Sequence, residues 1–211
     1  MPSGPDRDRS LASYARLAAG YDRSSRRILH IREAALAALA PKPGETIFDV
    51  ACGTGPVLAR LAGAVGPAGR VLGIEHSPEM AAIARERLGE DHPWVSVLVT
   101  GVEALDTPLR ADAMLFCYTH DVFQSPAALE RLARHAKPGC RVVVTGVRFL
   151  PWWWGWPVNL VTAVRTRPYL TTYRGLGHPW AGLERLCPDF RVLRSFHLGS
   201  SYLGSGRFAG G

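Results

Sequence analysis

The chain has 211 residues and a mass of 23.0 kDa, and its 47% hydrophobic and 20% charged content fits one globular domain with a sizeable core. No run of about 20 apolar residues is present, which argues against a membrane-spanning helix, and we expect a soluble protein. Residues 1–140 carry 16 basic and 16 acidic side chains, so the formal net charge of +7 comes entirely from residues 141–211.

The four cysteines, Cys52, Cys117, Cys140 and Cys187, form no Cys-x-x-Cys pair. The sequence therefore predicts neither a metal site nor a disulfide framework, and we expect a reducing, cytoplasmic location. Residues 1–10 are polar and lack the apolar stretch of a secretory signal, so we interpret them as a flexible tail. We treat residues 11–211 as one domain.

Residues 28–40 have the apolar spacing of an amphipathic helix. Beyond them, near-continuous apolar runs alternate with helix-like segments, which is typical of a mostly parallel sheet covered on both faces. The helix-like segments begin with proline, in two cases after a serine that would serve as the N-cap, Ser77 or Ser125. The predicted strands are residues 46–51, 70–75, 94–100, 111–117 and 141–147, and the predicted helices are residues 56–65, 78–88 and 126–136.

Residues 190–198 and 201–208 are predicted to form two adjoining strands around Gly199-Ser200. The expected fold is therefore α/β: a Rossmann-like, seven-stranded, mostly parallel sheet with helices on both faces and a C-terminal antiparallel hairpin.

A glycine-rich turn at Gly53 and Gly55 follows the first predicted strand, where glycine lets a ligand approach the backbone. A dinucleotide fingerprint would need a glycine at position 58, which is Leu58 here, so a nicotinamide cofactor is disfavoured. Glu75 ends the second strand, where an acid can accept hydrogen bonds from the ribose of an adenosine ligand. The alternative is a tight turn beside an exposed acid, with no ligand.

The segment Phe48-Asp49-Val50-Ala51-Cys52-Gly53-Thr54-Gly55 resembles the first motif of the class I S-adenosylmethionine-dependent methyltransferases. The segments His76-Ser77-Pro78-Glu79-Met80 and Lys137-Pro138-Gly139-Cys140 resemble later parts of that family, and the resemblance runs over residues 44–147. It implies an adenosyl-binding core there, and a chain that transfers a methyl group from S-adenosylmethionine and releases S-adenosylhomocysteine.

The resemblance also implies particular cofactor contacts. Asp49 would hold the methionine amino group through the loop, Glu75 would bind the ribose, and Met80 would pack on adenine. The other residues expected at the cofactor are Tyr21, Ala51, Cys52, Gly53, Thr54, Gly55, His76, Val102, Glu103 and Cys117.

Two positions depart from the family pattern. Ala51 stands where the first glycine is usual, a small change that should fit. Gly101 stands where many members have an adenine-binding aspartate, which leaves that contact to backbone amides or to Glu103.

Methyl transfer from a sulfonium is an in-line displacement, so the protein mainly aligns the acceptor and manages its proton. The carboxyl ends of the strands should form the acceptor side, and there the fourth strand is followed by Tyr118-Thr119-His120-Asp121. His120 is the candidate catalytic base because imidazole titrates near neutral pH, and Tyr118 is a candidate substrate contact. The alternative is that His120 only packs or hydrogen-bonds within its loop, with Asp121 orienting it or capping the next helix.

The sequence disfavours nucleic acid as the acceptor. The loop after the fourth strand lacks the Asn/Asp-Pro-Pro-Tyr/Phe stretch of amino-methylating DNA enzymes. Pyrimidine C5 methyltransferases need a catalytic cysteine, and Cys187, which precedes a proline, lies far from that loop. The only lysines, Lys42 and Lys137, cannot supply the lysine-rich tetrad of ribose methyltransferases. We therefore expect a small-molecule acceptor, methylated on oxygen or nitrogen by a monomer or homodimer.

Two segments are candidates for the substrate side. Residues 11–43 resemble the helical lid of small-molecule members, with Tyr14 near the substrate, although an ordinary surface helix is the alternative. Residues 148–189 are interpreted as a substrate-side insert in which Trp152 and Trp153 contact the acceptor. Four tryptophans in five positions, followed by three arginines, fit a lipophilic or anionic acceptor or a membrane surface. Burial in the core or in an oligomer interface, and base stacking, are the alternatives.

Two other function classes stay open. A fold that holds S-adenosylmethionine could serve as a partner subunit or as a non-methylating catalyst such as a cyclase, which the absent adenine-side aspartate favours. The basic C-terminal third favours an RNA or DNA methyltransferase.

Overall fold

The computed structural model of the chain describes residues 26–170 and 172–209. The predicted tail, residues 11–25 of the predicted lid, and the site candidates Tyr14 and Tyr21 lie outside the described residues. Within the described part of the chain, no helix has both the length and the apolar character needed to cross a bilayer.

Seven strands form one sheet: β1 Thr46–Val50, β2 Arg70–Glu75, β3 Val95–Val99, β4 Ala111–Cys117, β5 Ala136–Val147, β6 Arg191–Phe196 and β7 Ser201–Arg207. Their order across the sheet is β3-β2-β1-β4-β5-β7-β6. The pairings from β3 through β5 are all parallel, and β7 runs antiparallel to both β5 and β6. The predicted mostly parallel sheet with a C-terminal antiparallel hairpin is confirmed.

Seven α-helices accompany the sheet in the described residues: α1 Leu29–Leu39, α2 Leu58–Val65, α3 Pro78–Leu88, α4 His120–Phe123, α5 Pro126–Arg134, α6 Trp152–Thr166 and α7 Ala181–Glu184. Short 3₁₀ turns lie at Arg26–Ile28, Val102–Ala104 and His197–Gly199. The last of these turns joins the two strands of the hairpin.

Successive strand residues point to opposite faces of the sheet, and the two faces carry separate cores. Phe48 and Val50 of β1 pack on one side with Leu129 of α5. Ile47 of the same strand packs on the other side, with residues of α1, α2 and α3 such as Leu61. Because both faces are covered, the loops at the ends of the strands are the places where ligands can reach the sheet.

Two of the predicted helix starts carry the predicted serine caps. The Ser77 hydroxyl accepts a hydrogen bond from the Met80 N–H, and the Ser125 hydroxyl accepts one from the Ala128 N–H, each at 3.3 Å, so both predicted caps are confirmed. The helix predicted from residue 56 begins at residue 58.

β5 begins at Ala136, five residues before the predicted start at residue 141. Ala136 pairs with Ala111 of β4, and the register then shifts before Arg141 pairs with Ala113. The Lys137-Pro138-Gly139-Cys140 segment is therefore an irregular stretch within the strand, and Gly139 has a positive φ of 71° there. Such a bulge inserts residues without ending the pairing.

Candidate functional site

The centre of the candidate site is the carboxyl edge of the sheet between β1 and β4. Asp49 pairs with Leu115 and Val50 pairs with Phe116, so the two strands end side by side. In the sheet, β2 lies beside β1 on one side and β4 lies beside it on the other, so the direction in which strands are added reverses between β1 and β4. Open α/β sheets bind ligands in the crevice at such a reversal of strand order.

The loop after β1 has an unusual backbone. Ala51, Gly53 and Gly55 have φ values of 54°, 59° and 67°, all in the left-handed region. A Cβ atom on Gly55 would lie 2.9 Å from Leu58 Cδ1 and 3.0 Å from Ala84 Cβ. Glycine at position 55 is therefore needed both for its φ and for the close approach of α2 and α3.

Ala51 occupies the position where the sequence departs from the family motif. Its positive φ shows that the loop keeps the left-handed conformation without glycine, although an L-residue there carries about 1 to 2 kcal/mol of strain. The expectation that alanine fits is therefore met at an energetic cost.

Glu75 fixes this loop to the end of β2. One carboxylate oxygen accepts a hydrogen bond from the Gly53 N–H at 2.8 Å, and the other accepts one from the Ser77 N–H at 2.7 Å. The side chain is 8% exposed, and this burial raises its pKa while the two backbone hydrogen bonds lower it. Each carboxylate oxygen can accept a second hydrogen bond, so the pair of ribose hydroxyls of an adenosyl group would find acceptors here.

Asp49 is the most strongly perturbed acid of the site. Its side chain is 1% exposed, and its Oδ2 atom has no hydrogen-bond partner among the described residues. Burial raises the pKa of Asp49 from 3.8 to about 7, which the charge of Arg32 opposes and the charge of Glu75 increases. A cationic amino group bound beside Oδ2 would satisfy this atom and stabilise its charge, so the donor set fits the methionine end of S-adenosylmethionine.

Arg32 is a part of the site that sequence reasoning missed. It is 5% exposed and lies on the buried side of α1 with Ile31 and Ala35. Its charge lowers the pKa of Asp49. The sequence feature that could have identified Arg32 is a cation at a position where the helical spacing predicts an apolar side chain.

Four of the remaining cofactor candidates are enclosed. Cys52, Thr54 and Met80 are buried, and Val102 is part of the core under α5. Burial also raises the pKa of the Cys117 thiol, at the end of β4, to about 12, which disfavours the thiolate form at neutral pH. Their contacts with a cofactor stay predictions.

Unlike these enclosed candidates, His76 is exposed and Glu103 is hydrogen-bonded to another side chain. His76 is exposed directly after β2. One carboxylate oxygen of Glu103 accepts a hydrogen bond at 2.6 Å from the Ser125 hydroxyl that caps α5. The predicted adenine contact of Glu103 would therefore compete with its hydrogen bond to Ser125.

His120 lies at the start of α4, directly after the end of β4, and is 7% exposed. Its Nε2 atom is 3.0 Å from the Arg174 carbonyl oxygen. A carbonyl only accepts hydrogen bonds, so Nε2 carries the proton and Nδ1 has the free lone pair in the neutral ring. Nδ1 is buried and has no hydrogen-bond partner among the described residues. Burial lowers the pKa of His120, which keeps the ring neutral at pH 7.

Tyr118, the substrate candidate two residues before His120, has a positive φ of 62°. Its N–H donates to the Thr145 carbonyl at 2.8 Å, which extends the pairing of β4 with β5 up to this strained residue. Non-glycine residues in this conformation are sparsely populated and occur more often at functional sites.

A separate cleft of about 370 Å³ opens at the same edge of the sheet, where β5 ends and β7 begins. Arg148 forms one wall: its Nε donates to the Gly199 carbonyl at 2.8 Å, and its guanidinium carbon lies 5.9 Å from the centre of the Trp180 ring. Trp154 lies at the cleft, whereas the predicted substrate contacts Trp152 and Trp153 do not line it. The cleft lining is Arg148, Phe149, Leu150, Pro151, Trp154, Gly177, His178, Trp180 and Gly199.

Comparison with known protein families gives a match over residues 47–139 to a methyltransferase domain. A 2-phytyl-1,4-naphtoquinone methyltransferase from Nostoc sp. is 30% identical over 117 residues, which are 54% of this chain and 51% of that protein. An uncharacterised protein of a transposon from Streptomyces fradiae is 40% identical over 113 residues, 52% of this chain and 32% of that protein. The chain thus spans about half the length, or less, of these curated relatives.

Among solved structures, the N-methyltransferase NodS from Bradyrhizobium japonicum, in complex with S-adenosylhomocysteine, superimposes with a TM-score of 0.68. The match covers 95% of this chain and 98% of that one at 15% sequence identity. At this identity the likeness concerns the fold.

Proposed function

Because the chain belongs to the class I S-adenosylmethionine-dependent methyltransferases, we propose that it transfers a methyl group from this cofactor to a small lipophilic or anionic acceptor. The observation that carries the proposal is a pair of buried acids at neighbouring strand ends: Asp49, whose Oδ2 atom has no hydrogen-bond partner among the described residues, and Glu75, which the Gly53 N–H holds in place. The two acids and the left-handed glycine loop together match the two polar ends of the cofactor.

In this proposal the loop and the two acids hold the cofactor in a fixed orientation. Asp49 accepts hydrogen bonds from the methionine ammonium, and Glu75 accepts them from the ribose hydroxyls. The bound cofactor supplies an electrophilic methyl group on its sulfonium. Residues at the end of β4 then need only place the acceptor in line and take its proton.

His120 is proposed to take that proton at Nδ1. The hydrogen bond to the Arg174 carbonyl fixes both the tautomer and the ring, so that the basic nitrogen is the one with no hydrogen-bond partner among the described residues. The lowered pKa keeps this nitrogen unprotonated at neutral pH. Tyr118, whose strained backbone lies between β4 and α4, is proposed to contact the acceptor.

The proposed class of acceptor rests on the cleft after β5. An arginine beside tryptophan rings can hold an anionic group and a flat or apolar body together. The Nostoc relative is named for a quinone with a phytyl tail, a lipophilic acceptor of this kind. We propose that Arg148, Trp154 and Trp180 hold the acceptor, and that Trp152 and Trp153 contribute only at the rim.

The first experiment is calorimetric titration of the protein with S-adenosylmethionine and S-adenosylhomocysteine. Wild type is expected to bind both, and Asp49→Asn is expected to bind about 10- to 100-fold more weakly, because a charge-assisted hydrogen bond contributes roughly 1.5–3 kcal/mol. Asp91→Asn is the matched control, since Asp91 is exposed before β3, at the opposite edge of the sheet.

Failure of wild type to bind either ligand would refute the function, and tight binding by Asp49→Asn would refute the site. Release of S-adenosylhomocysteine should then be measured with quinols, phenols, fatty acids, amines and RNA as acceptors. Turnover with the lipophilic or acidic compounds supports the proposed acceptor class, and turnover with RNA alone contradicts it.

A further inference from the structure

Helix α6 presents an apolar face that nothing in the described part of the chain covers. Trp153, Trp156, Leu160 and Val164 follow one another at intervals of three or four residues, which places them on one side of the helix. Their exposed fractions are 71%, 62%, 59% and 66%, in that order. Side chains of this size are seldom left in water as a continuous stripe.

The opposite side of α6 contacts Leu150, which lies just before the helix. The Asn159 amide accepts a hydrogen bond from the Leu150 N–H at 2.8 Å and donates one to the Leu150 carbonyl at 2.9 Å. Gly155 is buried against the same residue. The apolar stripe lies on the side of the helix that faces away from these contacts.

The chain segment that contains this stripe is basic. Residues 148–183 contain four arginines and no aspartate or glutamate. Two of them, Arg165 and Arg167, are exposed at the C-terminal end of α6. Exposed tryptophans together with arginines match the boundary of a lipid bilayer, where indole rings lie at the headgroup level and guanidinium groups meet anionic headgroups.

We propose that α6 docks on the surface of an anionic lipid bilayer. The stripe of Trp153, Trp156, Leu160 and Val164 lies at the boundary between headgroups and acyl chains, and Arg165 and Arg167 lie among the headgroups. This interaction goes beyond methyl transfer and does not depend on it. Because Trp154 belongs both to α6 and to the cleft beside Arg148, docking of α6 brings that cleft to the lipid surface.

The proposal is tested by flotation of the full chain, without cofactor, on phosphatidylcholine vesicles with and without phosphatidylglycerol. The protein is expected to float with the anionic vesicles and to be released by salt. Trp156→Ser/Leu160→Ser is expected to weaken binding about tenfold or more, because two large apolar side chains lose their burial. Arg165→Gln/Arg167→Gln is expected to weaken it about fivefold for each arginine.

Two control variants make the same chemical changes elsewhere. Leu193→Ser removes an apolar side chain that is 45% exposed on the edge strand β6, and Arg134→Gln removes an exposed cation at the end of α5. Both are expected to float like wild type. Equal losses in the control and α6 variants would overturn the assignment to this helix.

Other occupants of the face give different results. A dimer in light scattering that Trp156→Ser/Leu160→Ser converts to a monomer, with no flotation of wild type, would identify a second copy of the chain as the occupant and overturn the proposal. Flotation that appears only after removal of residues 1–25 would identify that segment as the cover and overturn it as well. Because no cofactor is present, these outcomes are independent of the methyl-transfer assay.

Discussion

The Asp49 carboxyl couples the stability of the protein to pH. In the folded protein its pKa is about 7 instead of 3.8, because the side chain is buried. The folded state therefore binds more protons than the unfolded state between these two values. The contribution of Asp49 to stability is fully present below pH 4 and is lost as the pH rises to 7.

We expect Asp49→Asn to raise the free energy of unfolding of the protein alone at pH 8, by at most about 4 kcal/mol, and to leave it nearly unchanged at pH 4. Asparagine keeps the shape of the side chain and removes the buried charge. Urea unfolding of both proteins at the two pH values measures the difference. A less stable variant at pH 8 would mean that the carboxylate has a favourable partner within the folded chain.

The two ring nitrogens of His120 can be tested separately. Glutamine places an amide nitrogen near the position of Nε2, so His120→Gln can keep the hydrogen bond to the Arg174 carbonyl while it removes Nδ1. If Nδ1 is the base, this variant loses about 10²- to 10⁴-fold in kcat. His120→Asn removes the bond as well and serves as the comparison.

A purely structural role predicts the opposite order, with His120→Gln active and His120→Asn impaired. The pH dependence gives an independent readout. Since burial lowers the pKa of His120, the wild-type kcat should fall only below pH 6.5, as Nδ1 becomes protonated. The residual kcat of His120→Gln should not show this fall below pH 6.5.

At the residue scale, the sequence indicated the two candidate cofactor-binding acids and missed the arginine that lies near them. Glu75 follows from the order of strand, glycine loop and acid, and Asp49 follows from the resemblance of its segment to the first family motif; both are local patterns. Arg32 enters the site only because α1 packs across β4 and β5, a tertiary arrangement that the local sequence does not encode. The bond between Glu103 and Ser125 also depends on tertiary packing, because 22 residues separate the two.

At the scale of single elements, two glycines within helices should respond to alanine in opposite ways. A Cβ atom on Gly155 of α6 would clash with Leu150 Cβ, whereas one on Gly63 of α2 would have no atom within 4 Å. Alanine in a helix gains about 1 kcal/mol over glycine, and overpacking against a buried neighbour costs typically 1–3 kcal/mol.

We therefore expect Gly63→Ala to stabilise the protein by about 1 kcal/mol and Gly155→Ala to destabilise it by about 1 kcal/mol or more. Thermal and urea unfolding of the two variants against wild type measure these changes. Stabilisation by Gly155→Ala would contradict the tight contact of α6 with Leu150.

The limits of sequence prediction at this scale are visible at β5 and α6. Ser77 and Ser125 mark helix starts because their hydrogen bonds are local, and both starts were predicted. The early start of β5 depends on the pairing of Ala136 with Ala111, which a propensity pattern cannot show. The tryptophan segment was interpreted only as part of a substrate-side insert. In the structure it is a helix, in which Asn159 and Gly155 contact Leu150 just before its first turn.

At the scale of the whole molecule, the two halves of the sheet differ in kind. Parallel strands β1 to β4 carry the cofactor motifs and match the methyltransferase domain over residues 47–139. The half formed by β5, β7 and β6 comes from the segment with the entire excess of positive charge. The alternation of strands and helices predicted the parallel part of the sheet, and the turn residues predicted the final hairpin. The cleft where β5 ends and β7 begins follows from neither pattern.

The outward face of α6 also gives the protein an optical property. Four of its six tryptophans lie in this one helix and are 48% to 80% exposed, while Trp94 and Trp180 are partly buried. Indole emission shifts to the blue when the ring leaves water, so the intrinsic fluorescence of the chain reports mainly on the surroundings of α6. Contact between this helix and any apolar surface can thus be followed in solution without a label.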